Sequence, residues 1–310
     1  MHTLTQVPAP IKQLFDALPL SQYGPVPATD DATLNDHAVR SYPFRGGPTD
    51  NQPTFRLGVY AVVEHESGAF LAPDPWCLLA QLAVCKRNGL LLPTSTSAPS
   101  KGSCVLLLSR YAAADRQLPL LVETSSRAQR GAGAVHDAVA ARITDPHAAL
   151  LATLLNSTVY DAYMATLLFE LPDSELLRLY GVSAEPPLRV FAARTLRLAL
   201  ASRNSFQVRN ARLASHAGAF PTPATAPARP LLDVLQARGS RTLLQLQQLL
   251  HDGQFFPAPD SDCGPGYLDL AVASYVFAIS LLRSSALHQY LAKHCQPLCR
   301  HAARVISCYT

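Results

Sequence analysis

Residues 57–94 read LGVYAVVEHESGAFLAPDPWCLLAQLAVCKRNGLLLPT and contain the clearest local pattern in the chain. The first seven, 57–63, form an apolar run rich in β-branched residues, which predicts a buried strand. Asp74 and Pro75 predict the start of a helix, because aspartate is a good N-cap and proline at the first helical position loses only an N–H that would have no partner. Gly89 predicts the end of that helix, since glycine readily takes the left-handed conformation found there.

A second strand is predicted directly after this helix, at Leu90–Pro93. A strand, a helix and a strand within residues 57–93 predict a parallel βαβ unit with a right-handed crossover. Two further apolar strands are predicted at Cys104–Leu108 and Leu120–Val122. Pro119 stands immediately before the last of them and predicts a cis peptide bond, with a trans proline at a plain strand start as the alternative. This strand order resembles a thioredoxin fold.

The sequence from residue 133 onward has the apolar spacing of helices. Residues 220–230, FPTPATAPARP, interrupt this pattern and predict a Pro/Ala linker. The predicted helices span residues 134–143, 146–170, 173–180, 187–202, 204–217, 229–252, 266–283 and 285–306.

The chain is therefore predicted to have three parts. Residues 1–55 form an N-terminal arm, residues 56–132 an α/β thioredoxin-like domain, and residues 133–310 an all-α domain that contains the linker. A small α/β domain followed by an all-helical domain is the layout of glutathione transferases. The expected fold is glutathione-transferase-like.

The composition of the chain argues against several classes of protein. The 310 residues carry a net charge of +4, and the basic residues are scattered without a clustered stripe, which argues against nucleic-acid binding. We expect most of these arginines to lie on solvated helix faces. The most apolar stretch, 271–282, is shorter than the about 20 residues that a membrane-spanning helix needs. Residues 1–20 lack the apolar run of a secretory signal, so we expect a soluble or peripheral protein.

The seven cysteines have irregular spacing and form no CxxC pair. Cys295 and Cys299 stand near His294 and His301, so a metal site there is conceivable. Known metal sites prefer tighter, paired motifs, and we expect no metal, no disulfide framework and buried reduced thiols.

The residues at the positions that carry thioredoxin or transferase chemistry match the patterns of those enzymes only in part. Cys77 lies at the start of the predicted helix, but Ala80 stands where a resolving cysteine is needed. Ser67 follows the first strand, where a transferase places the hydroxyl that stabilises the glutathione thiolate. Residues 123–126, ETSS, partly match the acidic and serine pair that holds the γ-glutamyl group. A glutathione-dependent transferase or redox enzyme therefore stays open as the alternative.

The chain resembles the smaller metaxin-type subunits of the fungal sorting and assembly machinery of mitochondria. The most specific block is residues 57–94. Further matching blocks are VPAPIKQLFDALPLSQY at 7–23, Arg40-Ser41-Tyr42 followed by Gly46-Gly47, VLLLSRY at 105–111, QLPLLVE at 117–123, and weaker stretches at 155–164, 202–212 and 267–279. The loop at 95–103 and the linker at 220–230 depart from the family pattern.

The resemblance implies a glutathione-transferase-like fold without transferase activity and without a cofactor. It places the chain peripherally on the cytosolic face of the mitochondrial outer membrane. The implied partners are a membrane-embedded β-barrel assembly subunit, a second metaxin-like subunit, and β-barrel precursors, which are recognised through the β-signal in their last strand. A generic cytosolic scaffold is a further alternative.

Two modes of holding that strand remain open, pairing with a sheet edge or binding in a groove between domains. The region after Pro93 is the expected location, and an apolar stripe in the N-terminal arm is a second candidate contact. The candidate partner-binding residues are Ile11, Leu14, Phe15, Leu18, Trp76, Leu92, Pro93 and Pro119.

Overall fold

A computed structural model describes residues 31–46, 54–95, 102–124, 126, 128–217, 228–250, 255–257 and 264–310. The chain divides after Val39 into two units. Within the first, the described part is helix α1, Asp31–Arg40, whose last residue belongs to the second unit. The second unit, residues 40–310, contains the sheet and the remaining described helices.

A five-stranded mixed sheet forms one side of this unit. Its strands are β1, Ser41–Pro43, β2, Phe55–Val59, β5, Cys104–Leu107, β6, Leu120–Glu123, and β7, Gln129–Arg130. The order is β1-β5-β2-β6-β7; β2 and β5 are parallel, and the other pairs are antiparallel. Two short strands, β3, Val63–Glu64, and β4, Phe70–Leu71, form a separate ladder.

The predicted βαβ unit is present, but its second strand is not the predicted one. Helix α2, Pro75–Asn88, connects β2 to its parallel neighbour β5. Residues Leu90–Pro93 are not part of this sheet, because their backbone bonds go elsewhere. Leu91 exchanges hydrogen bonds with Arg45 at 2.7 and 3.0 Å, and the N–H of Leu92 donates to the carbonyl of Tyr309 at 2.7 Å.

The predicted ends of α2 are confirmed. The Asp74 carboxylate accepts hydrogen bonds from the N–H groups of Trp76 and Cys77, both at 3.1 Å. Gly89 follows the helix with φ +60°, the left-handed conformation that a side chain would disfavour. The helix is buried along most of its length, because it lies between the sheet and further helices. The Leu118–Pro119 peptide is cis, as predicted.

Helices build the rest of the unit. They are α3, Ala132–Ala140, α4, Pro146–Leu154, α5, Tyr160–Phe169, α6, Asp173–Leu179, α7, Arg189–Ser202, α8, Phe206–Arg209, α9, Ala211–Ala214, α10, Arg229–Leu249, α11, Tyr267–Ser280, α12, Ala286–His294, and α13, Gln296–Ser307. Helix α11 is almost wholly buried and packs against α2, α12 and α13, so it joins the sheet side to the helical side. The predicted glutathione-transferase-like order of sheet and helices is confirmed, while the predicted domain boundaries stay predictions.

Three predicted helices differ in detail. The span 146–170 contains a π-helical turn at Leu155–Val159. The span 204–217 is divided at Asn210 between α8 and α9. The span 285–306 is divided at Cys295, because Pro297 lacks an N–H and fits only the first turn of a new helix.

Candidate functional site

The start of α2 is the position at which a thioredoxin-like redox enzyme carries its reactive cysteine. Cys77 is fully buried there, with no exposed surface. Burial, and secondarily the charge of Asp74, raises the pKa of the Cys77 thiol well above its usual range. A nucleophilic cysteine needs the opposite, a lowered pKa and access to solvent. Cys77 therefore has a packing role.

A buried ion pair occupies the space beside this helix start. Arg203 donates two hydrogen bonds to the Asp74 carboxylate, at 2.6 Å from Nη1 to Oδ2 and 2.9 Å from Nη2 to Oδ1. The Tyr180 hydroxyl donates to Asp74 Oδ2 at 3.0 Å. Both charged side chains are about 1% exposed. With the two backbone donors, the carboxylate accepts five hydrogen bonds and is fully engaged inside the protein.

Trp76 extends this arrangement into the helical side. The Arg203 guanidinium lies 4.5 Å from the centre of a Trp76 ring, and the imidazole of His136 stacks on the indole at 4.4 Å. The indole N–H donates to the Tyr275 hydroxyl at 3.3 Å, and that hydroxyl donates to Asn156 at 2.9 Å. Burial lowers the pKa of His136 and so keeps its ring neutral at pH 7. We call Asp74, Trp76, Tyr180, Arg203 and Tyr275 the buried polar cluster.

Ser67 and Glu123, which were weighed for glutathione chemistry, and the backbone beside the cis-proline all have partners within the chain. The N–H of Leu118, beside the cis-proline, donates to the Tyr60 hydroxyl at 3.0 Å. Ser67 lies on the surface and contacts His65 at 3.0 Å. Glu123 accepts from the Ser126 hydroxyl at 3.0 Å and lies 3.6 Å from Arg130. Each of these groups thus has an internal partner.

The predicted partner-binding residues lie in two places. Trp76, Leu92, Pro93 and Pro119 are buried in the core of the unit and do not form a surface. The stripe formed by Ile11, Leu14, Phe15 and Leu18 lies outside the described residues.

An open groove lies beyond the carboxyl ends of the parallel strands β2 and β5. Its volume is about 650 Å³, and its far wall is formed by residues 180–183, which follow helix α6, and by helix α7. The lining includes Tyr42, Val62, Leu108, Tyr111, Val182 and Leu196. Tyr111 is 64% exposed, and nearby on α7 Phe191 is 60% exposed. We call this the strand-end groove.

Sequence reasoning did not identify the strand-end groove, although one signal was available. Tyr111 ends the block VLLLSRY, where an aromatic residue follows the end of a buried strand. Tyr180 and Leu196 come from helices far along the chain, and no local pattern brings them to this strand end.

The structure thus combines a glutathione-transferase-like fold, a buried ion pair beside the helix start that carries Cys77, and an open groove at the strand ends. No helix in the described ranges is long and apolar enough to cross a bilayer. A family model described as SAM35, subunit of SAM complex, matches residues 5–123. The Sorting assembly machinery 35 kDa subunit of Saccharomyces cerevisiae is 33% identical over 323 residues, covering 96% of this chain and 95% of the yeast protein. The chain belongs to the SAM35 family, as the sequence analysis expected.

Solved glutathione transferases share the general layout. Two of them, CsGST83044 and CsGST63524 of Ceriporiopsis subvermispora, both in complex with glutathione, are 10% and 14% identical, with TM-scores of 0.41 and 0.43. Each covers 83% of this chain, and the matches span 99% and 97% of the transferases. Scores this low carry no argument about activity.

Proposed function

We propose that this chain is a non-catalytic subunit of the sorting and assembly machinery in the mitochondrial outer membrane. It lies peripherally on the cytosolic face and binds the β-signal, the last strand of an incoming β-barrel precursor, to promote insertion of the barrel. The SAM35 family membership over nearly the whole chain is the observation that carries this proposal. Its partners are a membrane-embedded barrel subunit and a second metaxin-like subunit.

The physical task is to protect an unpaired strand. Each unsatisfied N–H or C=O in lipid costs several kcal/mol, so the terminal strand of a precursor must be held until it pairs with the assembling barrel. Such a strand has about 9–11 residues. The outer strands of the sheet, β1 and β7, have only three and two residues, and Pro43 in β1 has no N–H to donate. These short edges favour a groove over edge pairing.

The strand-end groove has the two-sided character that such a strand requires. Side chains of a barrel strand alternate between an apolar, lipid-facing row and a polar, lumen-facing row. Val62, Leu108 and Leu196 provide an apolar floor. Arg110 forms part of the rim, where it donates to the Thr195 carbonyl at 3.1 Å and to the Tyr111 hydroxyl at 2.7 Å. We propose that the apolar row enters the groove and the polar row faces this rim.

Site-specific crosslinking tests the groove. A photoreactive amino acid at Tyr111, Val182 or Phe191 is expected to crosslink to a β-signal peptide added to the intact complex. The matched control is Leu150 on α4, which is 57% exposed and does not line the groove. No crosslink at the three groove positions, or equal yields at Leu150, would refute the proposal.

Substitution of the exposed aromatic residues gives a quantitative test. Aromatic anchors commonly contribute 1–2 kcal/mol or more to an interface, so Tyr111→Ala should weaken β-signal peptide binding about tenfold. Leu150→Ala should leave the dissociation constant unchanged. Equal affinity for the wild type and both variants would exclude Tyr111 as a contact.

The N-terminal arm stays a second candidate contact, through Ile11, Leu14, Phe15 and Leu18. If a partner subunit covers this stripe, deletion of residues 1–20 should reduce co-purification with the membrane-embedded barrel subunit. Unchanged co-purification would rule out that role.

The alternative, a glutathione-dependent enzyme, has a direct test. Because Cys77 is buried and Ser67 is engaged with His65, we expect neither retention on glutathione resin nor turnover of a model electrophile above a heat-denatured control. Retention together with turnover would favour the enzyme over the assembly subunit.

A further inference from the structure

Helix α10 has two apolar stripes, one inside the core and one at its edge. Leu232, Leu243 and Leu246 are buried against the other helices. The second stripe contains Leu231 and Leu235, which are half-buried against the core, and Val234, which is 49% exposed. A surface helix normally buries one apolar face and presents polar residues on the other. The second stripe is the kind of surface that a partner covers.

This second stripe forms one wall of a groove, and helices α8 and α9 form the other wall. The groove has a volume of about 400 Å³. Its opposite wall presents Val208, which is 75% exposed, above the buried Leu213. We call this the α8–α10 groove. It shares no lining residue with the strand-end groove.

The wall that carries Val208 is held by buried polar contacts. Arg209 donates to both oxygens of Asp161, at 2.6 and 3.1 Å, and to the carbonyl of Asn204 at 2.6 Å. Asn210 donates to the same carboxylate at 2.8 Å. Asp161 is itself buried in α5. Two successive residues are thus fixed to the core, and Val208, which precedes them, is held outward by this anchoring.

The charge around the groove has one sign. Arg212 and Arg238 line it, both are exposed, and neither forms an ion pair with any of the residues that the structure describes. No aspartate or glutamate is among the described residues that line the groove. The neighbouring Asp233 lies 3.1 Å from Arg229 and is therefore already paired. The groove combines an apolar floor with two guanidinium groups that have no counter-charge among the described residues.

We propose that the α8–α10 groove binds an amphipathic helix of a partner polypeptide, whose apolar ridge enters the groove and whose flanking carboxylates face Arg212 and Arg238. Two helical walls enclosing an apolar channel are the usual receptor for such a helix. A lipid surface fits less well, because a flat bilayer cannot reach a recessed floor such as Leu213. This interaction goes beyond the β-signal contact, and the two surfaces can be tested separately.

Defined peptides test the proposal on the full-length chain within its complex. The probe is an 18-residue helical peptide with leucines along one face and glutamates on both flanks. The control peptide has lysine in place of each glutamate. The glutamate peptide is expected to bind about tenfold more tightly than the lysine peptide at low salt, since two charge pairs at an interface rim contribute on this scale.

A charge swap gives the sharpest readout. The Arg212→Glu/Arg238→Glu variant should reverse the preference and bind the lysine peptide more tightly, which general destabilisation cannot produce. Val208→Asp should weaken binding of the glutamate peptide about tenfold, while Leu150→Asp, at another exposed apolar position, should not. All four positions are at the surface, so near-native melting temperatures are expected and would be checked for each variant.

Three results would overturn the proposal. The first is equal affinity of the two peptides, or no reversal in the charge-swapped variant. The second is that the chain binds vesicles of phosphatidylcholine and phosphatidylserine but neither peptide, and that Val208→Asp abolishes the vesicle binding. This result would make the groove a membrane contact. The third is peptide binding that occurs only after residues 218–227 are replaced by a Gly-Ser segment of equal length, which would identify this connector as the occupant. Loss of β-signal binding alone would affect only the proposed function.

Discussion

Replacing Arg203 with methionine tests directly how much the buried polar cluster contributes to the stability of the protein. The variant keeps most of the side-chain volume but removes the only cation that contacts the Asp74 carboxylate among the described residues. Two charge-assisted hydrogen bonds, at 2.6 and 2.9 Å, are lost with it. The carboxylate then stays inside the protein, about 1% exposed, without its counter-charge.

Removing one member of a buried ion pair typically costs about 3–5 kcal/mol. Three donors remain on Asp74, namely the Tyr180 hydroxyl and the N–H groups of Trp76 and Cys77. They stabilise the isolated charge in part, so we expect Arg203→Met to lower the free energy of unfolding by about 3 kcal/mol, the lower end of this range. Since whole domains are stable by only about 5–15 kcal/mol, this loss is large.

Urea unfolding measures this loss, and the intrinsic fluorescence of Trp76 reports it, because Trp76 is the single tryptophan of the chain and belongs to the cluster. Asp74→Asn is the complementary variant, since asparagine also caps helices well and only the charge is removed. The double variant should lose about 2 kcal/mol less than the sum of the single variants, because neither charge is then left alone.

The control is the exposed pair of Asp233 and Arg229, whose side chains are 55% and 54% exposed. Asp233→Asn should change the free energy of unfolding by less than about 0.5 kcal/mol, because solvent screens such pairs. The reasoning is refuted if Arg203→Met costs as little as Asp233→Asn, or if the effects of Asp74→Asn and Arg203→Met simply add.

Other predictions follow from the same packing. Gly239→Ala in α10 should destabilise the protein by about 1–3 kcal/mol, because a Cβ would lie 2.3 Å from the Cβ of Ala162. Gly133→Ala in α3, where a Cβ meets nothing within 4 Å, should be neutral or stabilising in the same thermal melts. Asp269→Ala should cost about 2–4 kcal/mol in urea unfolding, because the carboxylate accepts from Phe256 N–H, Gly266 N–H and His301 at 2.7–2.9 Å. The free energy of unfolding should also fall as the pH rises above about 8.5, because the unfolded chain releases protons that buried thiols and phenols retain in the native chain. Each such group should contribute up to about 1.4 kcal/mol per pH unit. Unfolding free energies that stay constant to pH 11 would contradict the raised pKa values of these groups, which are Cys77, Cys85, Tyr60, Tyr160, Tyr163, Tyr180 and Tyr275.

The features that the sequence predicts correctly are local. Asp74 contacts N–H groups two and three residues away, and Gly89 closes a turn of its own helix. Signals of this kind depend on neighbours in the chain and can be read without the fold. The strand predicted at Leu90–Pro93 failed because its partners, Arg45 and Tyr309, are far away in the sequence.

The buried arginines are a second feature that local sequence patterns do not predict. Scattered arginines are expected on solvated helix faces, yet Arg197 and Arg203 are among the largest fully buried side chains. Arg203 is followed by Asn204 and Ser205, both with positive φ, and no glycine marks that turn. Arg197 pairs with Asp173 and donates to two carbonyls at 2.9 Å. Their burial depends on acceptors supplied by other elements, which no local pattern reveals.

The buried ion pair also connects the absence of thiol chemistry to the stability of the fold. A catalytic thiolate at a helix start is stabilised by free N–H groups and by nearby positive charge. In this chain the Asp74 carboxylate takes both N–H groups and the guanidinium of Arg203. The same carboxylate raises the pKa of Cys77 further, beyond the effect of burial. Restoring a thiolate would require removing Asp74, which would leave Arg203 as an uncompensated charge in the core. A reactive thiolate at Cys77 and the buried pair of Asp74 and Arg203 therefore exclude one another at this position.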